Sequence, residues 1–338
     1  MVPAPSLFTR PTIWAVAHAE APIVVTSREF DTQLAETFER TGVRPGLLES
    51  VAGIVERRWW PADVSYDEAA ARAGRIALEK ADVAPGEVDL LLSTSVCKDH
   101  LEPSVACAVH FRLGLADTCA NLDIGNACLG FINAMNLGAA AIESGQANVV
   151  LIVDGEGSRQ LQETTIERLR RQETTAGDVF DNFASLTLGS GAAAMVMGGP
   201  RSGSHRFLGG LARAATKDHD LCVGSLEGMR TDTAALLSEG LALGRRTWDA
   251  AAADGWGWDA CDHYVMHQVS AVHTARLCEL LEVDTAKVPL TYPHFGNIGP
   301  AAVPYTLSTI ADELEPGERV LLMGIGSGLN CAGAELVW

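Results

Sequence analysis

The sequence is poor in basic residues and in aromatics. Across 338 residues, 25 Lys and Arg stand against 43 Asp and Glu, for a net charge of −18, and Phe, Trp and Tyr make up only 6%. The charge deficit argues against a surface built for sequence-independent nucleic-acid or anionic-membrane binding, because both need a positive field, and leaves room only for a local basic patch. No charged start followed by an apolar run marks a signal peptide, and no run free of polar residues reaches transmembrane length. The eight cysteines, at positions 97, 107, 119, 128, 222, 261, 278 and 331, form no CxxC pair and no Cys/His spacing of a zinc site. A reduced, cytosolic protein without a metal is the expectation. A hydrophobic content of 47% is ample for a core, in one large or two medium domains.

The chain is organised around residues 121–145, Asn121-Leu-Asp-Ile-Gly-Asn-Ala-Cys128-Leu-Gly-Phe and onward to Gly145. A short strand breaks at Gly125-Asn126 and continues as a helix from about Cys128 to Ser144, with Gly145 at its C-cap. Apolar residues cover nearly the whole circumference, so the helix should be buried. Cys128 then sits at a helix N-terminus, whose unpaired N–H groups favour a thiolate. That effect is roughly 0.3–1 kcal/mol, under one pKa unit, so a nucleophile here needs a second activating group such as a histidine. The alternative is a buried structural cysteine.

Before this stretch, residues 1–10 read as an irregular start. Thr12–Val16 and Ile23–Val25 read as strands joined by a turn at His18–Pro22. Ser27 would cap a helix over Arg28–Thr41, Val51–Trp60 is strand-like, and Ser65 caps an alanine-rich helix from Tyr66 to about Lys80. Val88–Ser95, Cys119–Ile124 and Asn148–Asp154 are apolar strands, and Glu102-Pro103-Ser104 opens a helix with proline in its first turn. Alternating strands and helices imply a mainly parallel sheet covered on both faces. Residues 156–183 are polar and read as a helical surface insertion with a mobile loop. Leu186–Met197 closes a first half, residues 1–198, at a glycine- and proline-punctuated boundary. Residues 199–338 repeat the order of parts: acid, apolar strand, serine, helix, strand, Gly-Asn turn, small-residue helix. This suggests a duplication of about 170 residues per half. The closing strand from Arg319 ends in a glycine-rich loop that does not precede a helix, so it is not a dinucleotide site.

In a duplicated fold, equivalent turns converge on a pseudo-twofold axis. That would bring Cys128, His267 (in Met266-His-Gln-Val-Ser270) and Asn297 (in His294-Phe-Gly-Asn-Ile-Gly-Pro300) to one pocket. Taken singly, His267 reads as a structural histidine and Asn297 as a plain turn residue.

Asn126-Ala-Cys128-Leu-Gly-Phe, His267-Gln-Val-Ser and Gly296-Asn297-Ile-Gly-Pro-Ala together resemble the Cys–His–Asn motifs of the thiolase superfamily, in its ketoacyl synthase III branch. Leu101-Glu-Pro-Ser104, Val153-Asp-Gly-Glu156, Leu186–Met197 and Gly324-Ile-Gly-Ser-Gly-Leu-Asn330 extend the likeness to the long-chain acyl-CoA condensing enzymes of bacterial olefin biosynthesis. The resemblance implies a five-layer αβαβα thiolase fold with two pseudo-twofold halves, as an intertwined homodimer. It implies that Cys128 takes an acyl chain as a thioester, that His267 and Asn297 stabilise an enolate, and that the backbone N–H groups of Cys128 and Ser327 form an oxyanion hole. Glu102 would reach the partner subunit's pocket as a base. Coenzyme A thioesters would be the substrates, with no resident cofactor. The reaction would be a non-decarboxylative Claisen condensation of two fatty acyl-CoA molecules to a 2-alkyl-3-ketoalkanoic acid, followed by downstream pathway enzymes. A decarboxylating ketoacyl synthase III using malonyl thioester, another acyltransferase, or one subunit of a condensing pair, including a non-catalytic one that only shapes its partner's pocket, are the alternatives. Without the resemblance, Glu102 reads as a first-turn acid at a helix dipole. Arg57 and Arg58, with Trp59 and Trp60, and separately Arg213 and Lys217, are the candidates for the CoA phosphates and adenine. Val51 stands where the branch often carries a CoA-binding arginine, a departure from its pattern.

Overall fold

The computed structural model describes residues 6–225 and 228–338; of the irregular start, residues 1–5 lie outside the described residues. Among the described residues the strands are β1 (Thr12–Glu20), β2 (Ile23–Thr26), β3 (Glu56–Trp59), β4 (Leu90–Ser93), β5 (Ala120–Asp123), β6 (Val149–Glu156), β7 (Gly191–Gly198), β8 (His205–Ala214), β9 (Cys222–Gly224), β10 (Met229–Thr231), β11 (His263–Met266), β12 (Arg319–Gly326) and β13 (Asn330–Val337). Pairs β2–β3 and β9–β10 are small ribbons, and the other nine strands run in the order β11-β12-β13-β8-β1-β7-β6-β4-β5. Strand β5, parallel to β4, ends the first arm and has no counterpart in the second among the described residues; inward of it the two arms repeat the same senses. Pairs β4–β6 and β11–β12 are parallel, while β6–β7 with β7–β1 and β12–β13 with β13–β8 are antiparallel. The arms meet where Thr12 and Ile13 face Arg206 and His205.

Six helices complete the layers: α1 (Tyr66–Lys80), α2 (Val105–Leu113), α3 (Gly130–Glu143), α4 (Thr233–Ala253), α5 (Ala271–Leu281) and α6 (Ala302–Ile310). Helices α1 and α2 cover the outside of the first arm, over a core including Leu78, Val109, Leu151 and Val153. Helices α3 and α6 lie between the arms, with Phe131, Ile132, Met135, Ile152, Leu307 and Leu322. Helices α4 and α5 cover the second arm around Trp248, Leu277 and Leu321. This is the αβαβα thiolase layering. Strands β6 and β7 are buried at all eight positions each, as strands covered on both faces must be. Among the described residues no helix is long and apolar enough to cross a membrane.

Several sequence expectations need correction. The sheet is not mainly parallel, because parallel pairing through crossover helices holds only among β4, β5 and β6 and between β11 and β12, while the other pairs are antiparallel. Strand β7 returns antiparallel beside both β6 and β1, a pairing that needs no crossover. Strand β1 runs on through His18 to Glu20, so the turn is shorter than expected. Thr26, with Glu29 reciprocating, caps the first helix; Ser27 is buried instead. That helix ends at Gln33, and a second runs over Ala35–Thr41. Of Val51–Trp60 only Glu56–Trp59 is strand. Ser104 caps α2, leaving Glu102 and Pro103 outside the helix. Residues 156–183 are more than a surface insertion: Glu156 is buried at the end of β6, and Gln162, Thr165, Ile166, Leu169 and Val179 are buried too. Strand β12 is followed by β13, so the glycine-rich loop joins two strands. Helix α3 is not apolar-buried all round, since Leu137 is 50% exposed.

Candidate active site

Cys128 lies in a short 3₁₀ turn, Ala127–Leu129, that carries the chain from β5 into α3. Ala127 holds φ at +44°, a left-handed conformation costly for any residue with a Cβ, so the turn is sharp and strained immediately before the cysteine. Two asparagines brace it. Asn126 donates to Asn133 Oδ1 at 2.6 Å, and Asn330 donates to Asn126 Oδ1 at 2.9 Å, tying the turn to the start of β13. The end of β12 presses on the same turn: a Cβ on Gly326 would stand 3.3 Å from the Cys128 nitrogen. Ser327, half-buried, follows directly. Cys128 N–H and the Gly326-Ser327 backbone are therefore neighbours.

His267 follows β11, is 4% exposed, and its backbone N–H donates to Met323 O at 2.7 Å. Its Nε2 lies 3.2 Å from Asn297 Oδ1, which also accepts the Gly299 N–H at 3.0 Å. Asn297 Oδ1 thus faces two donors. That assigns the Nε2–H tautomer to His267 and leaves Asn297 Nδ2 free to donate elsewhere. Burial pushes His267 down to about 4, partly offset by Asn297 and the Ile325 backbone. The ring is neutral at pH 7.

The Asn297 turn is itself docked. Asn297 N–H donates to Thr187 O and Gly189 N–H to Asn297 O, both at 2.9 Å. Only glycine fits at 189, where a Cβ would meet Phe295 O at 1.7 Å. Gln268, beside the histidine, accepts from Thr291 and Tyr292 N–H and donates to Pro289 O, fixing the approach to that turn. The sequence by itself gives Gln268 no role; its one signal there is a Gln directly after a candidate site histidine.

Electrostatics at Cys128 run opposite to the expectation from the helix end. The residue keeps some exposed surface, but protein surrounds the thiol, and burial pushes it up to about 12, with Cys222 and Glu156 adding repulsion. Desolvation outweighs the dipole. The resting pair is a thiol and a neutral imidazole.

Glu156 was missed as a site residue. Its carboxylate accepts Val96 N–H at 2.6 Å and Cys97 N–H at 3.3 Å, and Gly299 packs against it. Asp154, two residues earlier on the same face of β6, accepts from Thr94 Oγ1. Burial holds both carboxyls up, Glu156 to about 7 and Asp154 well above the usual carboxylate range, where repulsion from Glu156 adds to the burial. A carboxyl whose folded pKa is raised destabilises the fold as pH climbs from its unfolded value to its folded one. Stability should therefore fall between about pH 4.5 and pH 7, by on the order of 3 kcal/mol. Glu156→Gln should flatten that slope, as urea unfolding at pH 5 and pH 8 would show; an unchanged slope would refute the assignment.

Two proposed CoA contacts are corrected. Arg57 is fully buried, donating to Ser27 Oγ and Leu186 O at 3.0 Å each, over the Phe30 ring. Arg58 is paired with Glu20 at 2.7 Å and Glu56 at 2.8 Å. Neither is free for a phosphate. Trp60 is 4% exposed and donates to Glu156 O, while Trp59 donates to Gln162 and its ring already meets Arg159 and Phe30. Arg213 is exposed on β8, and Lys217 is exposed between Asp218 and Glu239. Glu102 is exposed on the stretch before α2 and does not join the Cys128–His267–Asn297 cluster of its own chain.

Residues 56–197 match the family model "Thiolase, N-terminal domain", and residues 251–338 match "3-Oxoacyl-[acyl-carrier-protein (ACP)] synthase III C terminal". The chain is 43% identical to the acyl-CoA:acyl-CoA alkyltransferase of Xanthomonas campestris, over 98% of this chain and all of that one. It is 32% identical to the enzyme of the same name from Shewanella oneidensis, over 98% and 99%. Beta-ketoacyl-[acyl-carrier-protein] synthase III of Bacillus pumilus is 27% identical over 86% and 89%. A crystal structure of a cysteine-to-serine variant of X. campestris OleA with bound lauric acid and lauroyl-CoA superposes with a TM-score of 0.96 at 42% identity, covering 98% of this chain and all of that one. The chain belongs to the thiolase superfamily, in its ketoacyl synthase III branch, and is an OleA-like condensing acyltransferase.

Proposed function

We propose that the protein joins two long-chain acyl-CoA molecules by a non-decarboxylative Claisen condensation. The observation that carries this reading is the Cys128 turn set against a hydrogen-bonded His267–Asn297 pair, in a chain 43% identical to an acyl-CoA:acyl-CoA alkyltransferase. Cys128 sulfur attacks the first thioester as neutral His267 takes the cysteine proton on its unprotonated ring nitrogen and passes it to the departing CoA sulfur, so that CoA leaves as a thiol. The N–H groups of Cys128 and Ser327 stabilise the oxyanion. Glu102 then removes the α-proton of a second acyl-CoA. His267 Nε2–H and the free Asn297 Nδ2 stabilise the enolate oxygen, and the enolate carbon attacks the acyl-cysteine, expelling the Cys128 sulfur, which becomes a thiol again with the proton that Glu102 took. Hydrolysis of the remaining thioester releases a 2-alkyl-3-ketoalkanoic acid and CoA. The thioesters supply the activation, so this sequence of steps calls for no resident cofactor.

Glu102 is exposed on its own chain, so the reading calls for a second copy. Among the described residues β5 is the last strand on its side of the sheet, Leu122 is exposed on it at 43% and Phe111 at 85% on α2, which packs against it, and Leu101 and Leu137 are exposed as well, at 95% and 50%. A terminal strand with exposed apolar residues suits an isologous partner. A free thiol nucleophile fits a reducing, cytosolic setting, and the keto acid fits a hydrocarbon or β-lactone route.

Incubation with myristoyl-CoA alone, followed by mass spectrometry, tests the reading. A myristoyl adduct on Cys128 together with the keto acid, or the ketone it decarboxylates to, is expected. An adduct that turns over only when malonyl thioester is added would overturn it in favour of the decarboxylating reaction.

A further inference from the structure

The stretch from Val96 to Ser104, which carries Glu102, is tied down at both ends and free in the middle. At its start, Glu156 accepts the N–H groups of Val96 and Cys97, and Cys97 Sγ meets Gly157 O at 3.2 Å. At its far end one carboxylate gathers both limbs. Asp123 Oδ2 lies 2.7 Å from Lys98 Nζ on the outgoing limb and accepts Val105 N–H at 3.1 Å on the returning one, while Oδ1 accepts Ala106 N–H at 2.9 Å. Between these anchors residues 99–103 are all exposed, with Glu102 near the tip. Asp123 is only partly exposed, at 16% of its side chain, so its pairing with Lys98 is less screened than a surface pair.

We propose that Asp123 is a positioning residue for Glu102, cross-linking the two limbs of the projecting segment so that the carboxylate is presented at a fixed reach and direction. Lys98 and Glu156 are the other anchors. The proposal rests on the base role given to Glu102 above. Asp123 also lies five residues before Cys128, at the end of β5. One short stretch therefore sets the nucleophile of its own chain and aims the base that serves another. A five-residue exposed tip without the cross-link would sample many directions, and a misplacement of about 1 Å at a reacting group can cost on the order of 100-fold.

The test separates half-reactions in the intact protein, with myristoyl-CoA as probe. Asp123→Asn keeps the size and one acceptor but loses the pairing with Lys98. Lys98→Met removes the same link from the other side while keeping a long apolar stem at a half-buried position. Each should lower condensation by about 10- to 100-fold while leaving the burst of CoA release from Cys128 acylation within about twofold. Combined with Glu102→Ala, neither should add a further loss, because both act through the residue already removed. Equal loss of acylation and condensation, or losses that multiply with Glu102→Ala, would overturn the proposal by showing a general structural role. Wild-type condensation in both single variants, with Glu102→Ala inactive, would overturn it while leaving the base role of Glu102 standing. Full condensation in Glu102→Ala would instead remove the base role itself.

Discussion

Replacing Cys128 with alanine should abolish the acyl-enzyme and with it condensation, by at least about 1,000-fold. The size follows from the electrostatics. The thiol sits near 12 and the imidazole near 4, so neither group is charged at rest and no preformed thiolate stands ready. In the proposed reaction, attack is coupled to transfer of the cysteine proton onto His267, inside a strained turn braced by asparagines. Serine in the same position should fare little better, because a hydroxyl is a weaker acid than a thiol and the neutral imidazole is a weak base. Intact-protein mass after exposure to myristoyl-CoA reads the result directly. The same electrostatics predict that iodoacetamide alkylates Cys128 slowly at pH 7 and faster up to and beyond pH 9. Rapid alkylation at neutral pH, or an adduct surviving in the alanine variant, would move the nucleophile or its activation elsewhere.

The residues that carry the site were legible because each sits in a short turn with its own pattern: Asn-Ala-Cys before a small-residue helix, His-Gln after an apolar strand, Gly-Asn before Ile-Gly-Pro. The duplicated order of parts was legible for the same reason, since strands such as β4 and β11 share an acid at the start and a serine near the end. Strand sense was not legible. Nothing local marks β7 or β13 as antiparallel, because sense is decided by what each strand returns beside. The arginines misled for a physical reason. Arg57 looks like a surface cation in sequence, but backbone carbonyls at Leu186 and a hydroxyl at Ser27 receive its donors inside the fold. Glu156 was hidden in the opposite way. It ends an apolar strand whose reading stopped at Asp154, and only the packed loop at Val96 and Cys97 shows why a carboxylate is tolerated there. The exposure of Leu137 on α3 was unreadable as well, since an apolar residue in a helical pattern carries no mark of whether the fold covers it.

Glu102→Gln should separate the two halves of the reaction. Acylation of Cys128 needs no α-proton removed and should stay within about twofold, while condensation of two acyl-CoA molecules should fall by about 100-fold or more for want of a base. Glutamine keeps the shape of the projecting segment, so the loss would report the carboxylate and not the fold. A nucleophile made by decarboxylation would not need that base, so a variant retaining full condensation would favour the malonyl thioester reaction. Location is tested by mixing. Glu102→Gln and Cys128→Ser are each expected to be inactive, but a mixed dimer places an intact Cys128 on one subunit opposite an intact Glu102 on the other. Random exchange of equal amounts makes half the dimers mixed, each with one complete site, so about a quarter of wild-type activity should return. A base acting within its own chain could not produce this, since one subunit would lack the carboxylate and the other the thiol. Recovery would therefore place Glu102 across the interface, and its absence after demonstrated subunit exchange would return the base role to a group on the same chain, with Glu156 the buried carboxyl packed against Gly299 of the Asn297 turn.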